Sequence, residues 1–343
     1  MHRFALLGAG FMGAVHGANL AVHPGVTLAS VYDVAPERAA RLAQTHSTRA
    51  ATTLEEVFDP DRIDAVVIAS STDTHASLLR RAAAANIAAF CEKPIDHDLS
   101  HAVETVAAVR ASGITAMVDF NRRFDRDYVE LKRIVDAGGV GAPELLTLTS
   151  RGPTLPAPEY LRVSGGQMRD QTIHFFDLAR WSAGCDPVEI HVTGAVLADS
   201  RLAEIPDVDT SIASLRLRSG ALVQIDSVRR TGYGYDERIE VMGATGLVEA
   251  GRHRSGCVAV HQGAHTTRDG AQPDWFERVR GTYALALAAF VDGLDQHAAP
   301  PVTLDDGLAA QAIAEAATRS LASGLSEPID YLAGWTATAP TSP

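Results

Sequence analysis

Cysteine is scarce in this sequence, and its spacing excludes two classes of protein. The three cysteines, Cys91, Cys185 and Cys257, lie far apart, and no Cys-x-x-Cys pair occurs. An odd number of widely spaced thiols predicts reduced side chains rather than a disulfide framework, and it supplies no structural zinc site. These features favour a protein of the cytoplasm, and they predict no bound metal.

Long apolar runs and an excess of positive charge are also missing. No apolar run approaches the ~20 residues of a membrane helix, and the chain starts with a strand-like run, Arg3–Leu7, instead of a secretion signal. Lys and Arg number 30 against 42 Asp and Glu, a formal net charge of −12. Nucleic-acid surfaces need clustered Lys and Arg to displace phosphate counterions. The sequence therefore predicts neither a nucleic-acid nor a membrane partner.

The first third of the chain has the rhythm of an α/β domain. Short apolar runs, typical of parallel strands buried on both faces, alternate with Ala- and Leu-rich stretches of helical period. The runs are Phe4–Leu7, Val26–Tyr32, Ala65–Ala69, Ile87–Cys91 and Ile114–Phe120. Alternating strands and helices predict a doubly wound parallel sheet with helices on both faces, over residues 1–121.

The pattern changes after about residue 120, where longer strand-like runs cluster with few helices between them. The predicted helices are Asp125–Asp136, Gly166–Ala183, Phe276–Gln296 and Leu304–Leu321. Such segregation predicts an α+β domain with a large, mostly antiparallel sheet, over residues 122–335. The small, polar and proline-rich residues 336–343 predict a disordered tail.

A glycine-rich turn follows the first predicted strand and reads G-x-G-x-x-G. Gly8 permits a tight turn, Gly10 leaves the backbone open to a pyrophosphate, and Gly13 lets the next helix pack closely on the strand. Phe11 and Met12 begin that helix, whose N-terminal N–H groups and dipole favour phosphate. The strand before the glycines and the helix after them predict a dinucleotide-binding Rossmann domain.

An acidic residue follows the second predicted strand. Asp33 lies about 20 residues after Gly13, where a carboxylate accepts hydrogen bonds from the adenosine ribose and repels the additional phosphate of NADP. The sequence therefore predicts NAD as the cofactor. Arg38 would weaken this preference if it faced the ribose, but a solvated helix residue also explains it.

Further motifs resemble one known family. Glu92-Lys93-Pro94 follows the fifth predicted strand, and Asp170 and His174 form a D-x-x-x-H behind a glycine pair. The other matching segments are Ser71–His75, Asn121–Asp125 and Tyr233–Asp236. Together they resemble the glucose-fructose oxidoreductase / inositol dehydrogenase / rhizopine catabolism (Gfo/Idh/MocA) family over residues 3 to about 330. Within that family the sequence is most similar to the inositol 2-dehydrogenases.

The resemblance implies catalytic roles for Lys93, Asp170 and His174. His174 suits a general base because imidazole titrates near neutrality. Lys93, at the carboxyl end of a parallel strand, can hold the substrate oxygen, and Asp170 can share the hydroxyl network or orient the imidazole. A metal site built from Asp170, His174 and Asp177 is the weaker alternative. The remaining contacts that the resemblance implies are Ser70, Thr72, His75, Glu92 and Lys93 for the cofactor, and Arg122, Tyr233 and Tyr235 for the substrate.

The implied reaction is NAD-dependent oxidation of a ring hydroxyl of a cyclic polyol or sugar. Three departures from the inositol enzymes leave the substrate open among inositols, inosamines and sugars. Ser150–Pro153 stands where those enzymes tend to carry His and Asn, Asp119 replaces a frequent glycine, and Arg169 replaces a frequent hydrophobic residue.

Two other functions stay open, a redox-neutral NAD-dependent glycosidase and a non-catalytic NAD-binding regulator. The intact Lys93, Asp170 and His174 argue against the regulator, which would not need all three. Because the second domain of this family usually presents its open sheet face to another subunit, we expect a homo-oligomer, with a tetramer favoured.

Overall fold

The computed structural model describes residues 1–205 and 207–331, so the predicted tail, 336–343, lies outside the described residues. Two compact units divide the chain. The first combines Met1–Phe124 with Gly281–Leu308, and the second combines Asp125–Arg280 with the chain from Ala309 onward. The sequence predicted one continuous second domain over 122–335, whereas the stretch Gly281–Leu308 groups with the first unit.

The first unit is built on a parallel sheet of six strands. They are β1 (His2–Leu7), β2 (Val26–Tyr32), β3 (Arg49–Ala50), β4 (Ala65–Ile68), β5 (Ala88–Cys91) and β6 (Ala116–Val118). Their order is β3-β2-β1-β4-β5-β6, and every neighbouring pair is parallel. This is the predicted doubly wound arrangement, and such a sheet binds ligands at the carboxyl ends of its strands, where β1 meets β4.

The helices of this part of the chain follow recognisable start and stop signals. They are α1 (Phe11–Val22), α2 (Pro36–Thr45), α3 (Leu54–Val57), α4 (Thr72–Ala84) and α5 (Leu99–Ser112). Pro36 opens α2, where its missing N–H costs nothing. The Asp98 carboxylate accepts a hydrogen bond from Ser100 N–H at the start of α5, and Gly113 ends that helix in the left-handed conformation.

Aromatic packing explains why a distant segment belongs to the first unit. Phe4 on β1 and Phe90 on β5 have no exposed surface. The ring of Phe290 lies 6.2 Å from the ring centre of Phe4 and 5.6 Å from that of Phe90. Buried aromatic pairs at these separations stabilise beyond their apolar area. The segment around Phe290 therefore completes the core of the first unit.

The second unit contains a seven-stranded sheet and a separate hairpin. The strands are β7 (Pro143–Arg151), β8 (Pro187–Ala195), β9 (Thr210–Leu217), β10 (Leu222–Val228), β11 (Asp236–Gly243), β12 (Gly246–Ala250), β13 (Ala259–Gln262), β14 (His265–Arg268) and β15 (Glu327–Pro328). The order in the large sheet is β12-β11-β7-β10-β9-β8-β15. Strands β7 and β10 pair in parallel and the other neighbours are antiparallel, which confirms the predicted mostly antiparallel sheet.

The remaining helices are α6 (Arg126–Asp136), α7 (Pro158–Leu161), α8 (Ile173–Ala183), α9 (Trp275–Gln296) and α10 (Leu304–Ser323). The predicted helix Gly166–Ala183 is helical from Gln167 to Ala183, and its first part, Met168–Thr172, is a π-helical turn directly before α8. The Gln171 amide donates hydrogen bonds to Ser150 O and Val228 O, 3.0 Å and 3.1 Å away. These bonds fix the turn at the ends of β7 and β10. Within the described chain, no helix combines the length and apolar character needed to cross a membrane.

The solvent-facing side of the large sheet carries one apolar row of residues with a polar row next to it. Its apolar row joins four residues in register, Leu222, Leu145, Met242 and Leu247, which are 54%, 38%, 37% and 52% exposed. The next row, two residues further along each strand, is polar, and it consists of Gln224, Thr147, Glu240 and Glu249. The homo-oligomer therefore stays a prediction.

Candidate functional site

The glycines of the loop after β1 have two kinds of surroundings. Gly8 and Gly13 lie against backbone atoms, whereas Gly10 faces open space. A Cβ on Gly8, whose φ is +100°, would lie 2.4 Å from Ala69 O, and a Cβ on Gly13 would lie 2.1 Å from Gly8 O. The fold itself therefore needs both glycines. A Cβ on Gly10 would meet nothing within 4 Å, so the space above this backbone is open to a ligand. The open space fits the pyrophosphate of a dinucleotide.

The start of α1 offers donors at this loop. Gly10 is its N-cap, and no side chain caps the helix there. Phe11 is 58% exposed, and Met12 is partly buried. The N–H groups of the first turn and the positive end of the helix dipole favour a phosphate here.

Asp33, at the end of β2, is bound to the glycine loop. Its Oδ2 accepts a hydrogen bond of 2.7 Å from Ala9 N–H, and its Oδ1 accepts one of 2.8 Å from Ala35 N–H. Arg38 Nε lies 3.5 Å from Oδ1, and the Arg38 side chain is 49% exposed. The carboxylate is thus fixed where the sequence predicted a ribose contact, and Arg38 is its surface ion-pair partner.

The segment after β4 is tied to the Lys93-Pro94 segment by a buried histidine. His75 Nδ1 lies 2.8 Å from Pro94 O, and Nε2 lies 3.2 Å from Ser70 O. Burial lowers the pKa of His75, so the neutral ring has one N–H to donate. Ser70 Oγ hydrogen-bonds Thr74 Oγ1 at 2.6 Å, and Thr72 opens α4. His75 therefore shapes the loop, and the cofactor contacts of Ser70, Thr72 and His75 stay predictions.

Glu92 lies in a buried cluster with His16 and Asp119, and the sequence predicted only Glu92 as a site residue. His16 Nε2, from α1, lies 2.9 Å from Glu92 Oε1 and 3.6 Å from Asp119 Oδ2. Burial would raise the pKa of Glu92, but its hydrogen bond to His16 and the charges of His16 and Lys93 lower it below its ordinary value. Burial and the neighbouring Glu92 raise the pKa of Asp119 well above its ordinary value. Asp119, noted in the sequence only as a departure, is thus a buried carboxyl group whose surroundings favour its protonated form.

The same cluster has metal-ligand spacing, although its chemistry disfavours a cation. Among the described residues, His16, Glu92 and Asp119 are the one trio of potential ligands that come within 4.8 Å of one another. The alternative set predicted around His174 does not reach that spacing. The charges of Arg122 and Lys93 act on Asp119, and a protonated carboxyl is a poor ligand.

Replacing Asp119 with asparagine is expected to stabilise the protein at alkaline pH. The folded state binds the Asp119 proton more tightly than the unfolded chain, so stability is lost as pH rises from the ordinary carboxyl pKa through the raised folded value. The asparagine side chain cannot ionise, so the variant's gain in free energy of unfolding should be larger near pH 8 than near pH 5. Urea unfolding at both pH values measures it. An equal gain in free energy of unfolding at both pH values would contradict a raised pKa for Asp119.

Lys93 follows β5 at the carboxyl edge of the parallel sheet and is partly buried. Arg122, predicted to contact the substrate, lies in a 3₁₀ turn, Asn121–Phe124, and is 6% exposed. Its Nη1 donates to Asn121 Oδ1 at 3.0 Å, and it also hydrogen-bonds the Tyr283 hydroxyl. Arg122 therefore has partners inside the first unit, and its substrate contact stays a prediction.

Asp170 lies in the π turn of the second unit and is held on both oxygens. Tyr160 O–H donates to Oδ1 at 2.7 Å, and Arg229 Nη1 donates to Oδ2 at 3.0 Å. Arg229 Nη2 in turn donates to Asp207 Oδ2 at 3.1 Å. Sequence reasoning missed Tyr160, Arg229 and Asp207. The sequence could not predict the contact of Arg229, because this residue ends a run predicted as a strand. An arginine in that position has no pattern that distinguishes a buried guanidinium from an exposed one.

His174 begins the second half of the predicted helix. It lies in the first turn of α8 and is 7% exposed. Because Asp170 belongs to the wider π turn, the four-residue α-helical spacing predicted for the pair does not set its geometry. Arg169, the second departure, makes a bidentate ion pair of 2.7 Å and 2.7 Å with Glu315 on α10. This pair holds the π turn against α10 and explains a charged residue at this position.

Tyr233 and Tyr235 have different surroundings. Tyr233 is 42% exposed, its O–H donates to Asp236 Oδ2 at 2.9 Å, and the Arg252 guanidinium lies 4.8 Å from its ring centre. Tyr235 is 7% exposed, and its hydroxyl donates to the buried Glu237. Tyr233 thus remains accessible beside a charged cluster, whereas Tyr235 belongs to the interior of the second unit. Their substrate contacts stay predictions.

Comparison with known proteins decides the family. The profile of the Gfo/Idh/MocA oxidoreductase family, NAD-binding Rossmann fold, matches residues 2–120, and that of the family's C-terminal domain matches residues 128–249. The chain belongs to this family. It is an NAD-dependent oxidoreductase similar to inositol 2-dehydrogenases, as predicted, and NAD is its cofactor.

Relatives in the family match over nearly their whole length. The inositol 2-dehydrogenase of Rhizobium meliloti is 38% identical, with 93% of this chain and 97% of the relative covered. The uncharacterized oxidoreductase YrbE of Bacillus subtilis is 37% identical, with 95% and 96% covered. The solved structure of a myo-inositol dehydrogenase from Corynebacterium glutamicum has a TM-score of 0.91 and 34% identity, with 97% of this chain and 100% of that chain covered.

Proposed function

We propose that this protein oxidises a ring hydroxyl of an inositol or a related cyclic polyol to the ketone, in the cytoplasm. The observation that carries the proposal is the match to the Rhizobium meliloti inositol 2-dehydrogenase over 97% of that relative. The residues that the resemblance makes catalytic, Lys93, Asp170 and His174, are all present. A match of this extent covers both the cofactor domain and the domain that would select the substrate.

The reaction removes a proton and a hydride from one alcohol group. NAD, when bound, supplies the hydride acceptor. His174 takes the hydroxyl proton as the general base, because its ordinary pKa lies near the working pH. The Lys93 ammonium stabilises the negative charge that develops on the substrate oxygen. Asp170 orients the hydroxyl and the imidazole, and its two fixed oxygens support that role.

Asp33 supports a preference for NAD over NADP. Both of its oxygens already accept backbone N–H groups beside the glycine loop. A carboxylate held this way cannot turn aside to admit a phosphate on the ribose. We expect NADP to be used far less well than NAD.

The choice among inositols rests on the end of β7. Arg151 is ion-paired with Asp226, and its Nη1 donates to Tyr233 O–H at 3.1 Å. Ser150 Oγ accepts from the Gln171 amide at 3.2 Å. Where the inositol enzymes tend to carry His and Asn, this chain therefore has Ser150 and Arg151, whose side chains already bind other side chains of the protein. A pocket that reads hydroxyls by hydrogen bonds changes its preference with such groups, so an isomer or amino derivative other than myo-inositol fits best.

The test is formation of NADH by the purified protein with NAD or NADP and a panel of inositols, inosamines, aldoses and glycosides. NADH with NAD and one or more cyclic polyols is the expected result, with myo-inositol not the best substrate. Glycoside cleavage without net NADH would instead favour a redox-neutral glycosidase. NADH formation confined to the aldoses would contradict the proposal.

A further inference from the structure

Tyr160 contacts the carboxylate of Asp170, which is proposed to be catalytic. The proposed reaction gives no role to the segment that contains Tyr160. It lies on the short helix α7, between β7 and the π turn, and its hydroxyl donates to Asp170 Oδ1 at 2.7 Å. The side chain is 48% exposed.

The two donors to Asp170 differ in how firmly they are held. The Arg229 side chain is 2% exposed and is fixed by a second carboxylate, Asp207, so it gives a rigid contact on Oδ2. Tyr160 supplies the other contact from the surface. A carboxylate that is held on both oxygens turns less about its bond to Cβ than one that is held on a single oxygen. The second donor on Oδ1 fixes the plane of the group.

The position of Tyr160 is set by its neighbour. Leu161 is 2% exposed and packs in a small cluster with Leu202 and Ile205, which are 3% and 8% exposed. This cluster is flanked by Leu155 and Val196. This packing orients α7, and the hydrogen bond from Tyr160 to Asp170 is a second attachment of the helix.

We propose that Tyr160 is a positioning residue, whose hydroxyl fixes the carboxylate plane of Asp170 and thereby aims it at the reacting hydroxyl. The proposal rests on the proposed function, in which Asp170 takes part in alcohol oxidation. Catalytic geometry is sensitive to small displacements, and a shift of about 1 Å can cost about 100-fold in rate. Tyr160 acts through Asp170 and needs no contact with the cofactor.

The Tyr160→Phe variant removes the hydroxyl and keeps the ring. We expect kcat on the best polyol to fall about 10- to 100-fold while the KM for NAD stays within about twofold. Tyr128→Phe is the matched control. Tyr128 is buried in the same unit, and its hydroxyl has no hydrogen-bond partner among the residues that the structure describes. That variant should keep kcat within about twofold.

A double-mutant cycle separates positioning from general damage. If Tyr160 acts through Asp170, Tyr160→Phe should lower the residual rate of an Asp170→Ala variant by less than about twofold. A kcat of Tyr160→Phe equal to wild type would overturn the proposal. So would an equal loss in the Asp170→Ala background, because the effect would then not pass through Asp170.

Hydrogen exchange gives a readout that does not depend on turnover. Leu161 N–H and Arg162 N–H donate to Ala157 O and Pro158 O within α7. Their exchange should speed up alike in Tyr160→Phe and Asp170→Ala, with no further increase in the double variant and no change in Tyr128→Phe. If wild type oxidises no polyol, the proposed function fails, and this exchange still decides whether Tyr160 and Asp170 are coupled. Unchanged exchange in both single variants would overturn the coupling.

Discussion

Replacing His174 with alanine is expected to lower NADH formation by about 10³-fold or more while NAD binds as tightly as in wild type. General-base catalysis contributes about 10²- to 10⁴-fold, and alanine has no group to take the proton. The glycine loop and Asp33 lie in the first unit, and His174 lies in the second. Loss of turnover should therefore be separable from loss of cofactor. Initial rates and fluorescence titration with NADH measure the two effects.

A matched control distinguishes chemistry from folding. His261 is exposed on the hairpin strand β13, so His261→Ala should keep the wild-type rate. Because His174 is 7% exposed, the thermal unfolding of both variants is compared with that of wild type. A folded His174→Ala variant with the wild-type rate would remove His174 from the mechanism.

The two glycines Gly10 and Gly13 should respond to alanine in opposite ways. A Cβ on Gly10 meets no protein atom within 4 Å, so Gly10→Ala should fold, with a loss below about 1 kcal/mol for the changed N-cap. The added methyl occupies the space proposed for the pyrophosphate. If its overpacking there costs about 1–3 kcal/mol, the Kd for NAD rises about 5- to 150-fold.

Gly13→Ala should instead damage the fold of the first unit. Its Cβ would lie 2.1 Å from the backbone oxygen of Gly8, which cannot move without moving the loop. We expect a free energy of unfolding lower by about 1–3 kcal/mol or more, even without cofactor. Chemical unfolding and isothermal titration with NAD measure both variants. Tight NAD binding by Gly10→Ala would show that the dinucleotide does not cross this loop.

The sequence predicts most of the parallel sheet of the first unit. Its buried parallel strands are short apolar runs, and β2 has the predicted bounds Val26–Tyr32. The positions of the glycine loop and of Asp33 could be predicted because they depend on local backbone geometry and on the strand order, and their cofactor contacts stay predictions. The two-residue strand β3 could not be predicted, because so short a pairing has no periodic pattern. The family, the fold class and NAD are confirmed.

The second unit shows where sequence patterns stop being sufficient. The glycines Gly165 and Gly166 were noted, but the π turn after them depends on tertiary bonds from Gln171 to β7 and β10. The donors to Asp170 come from Tyr160 and Arg229, which are 10 and 59 residues away along the chain. Such long-range pairs have no local pattern. Arg169 departs from the pattern of the inositol enzymes, and its ion pair with Glu315 explains the charge at this position.

The most direct test of the central claim is the fate of the hydrogen on the oxidised ring carbon. The purified protein is incubated with NAD and an inositol that carries deuterium on its ring carbons, and the NADH is analysed by mass spectrometry. Hydride transfer from the ring predicts NADH that carries one deuterium label, together with a ketone product. Unlabelled NADH, or turnover of a glycoside with no NADH at all, would contradict the account.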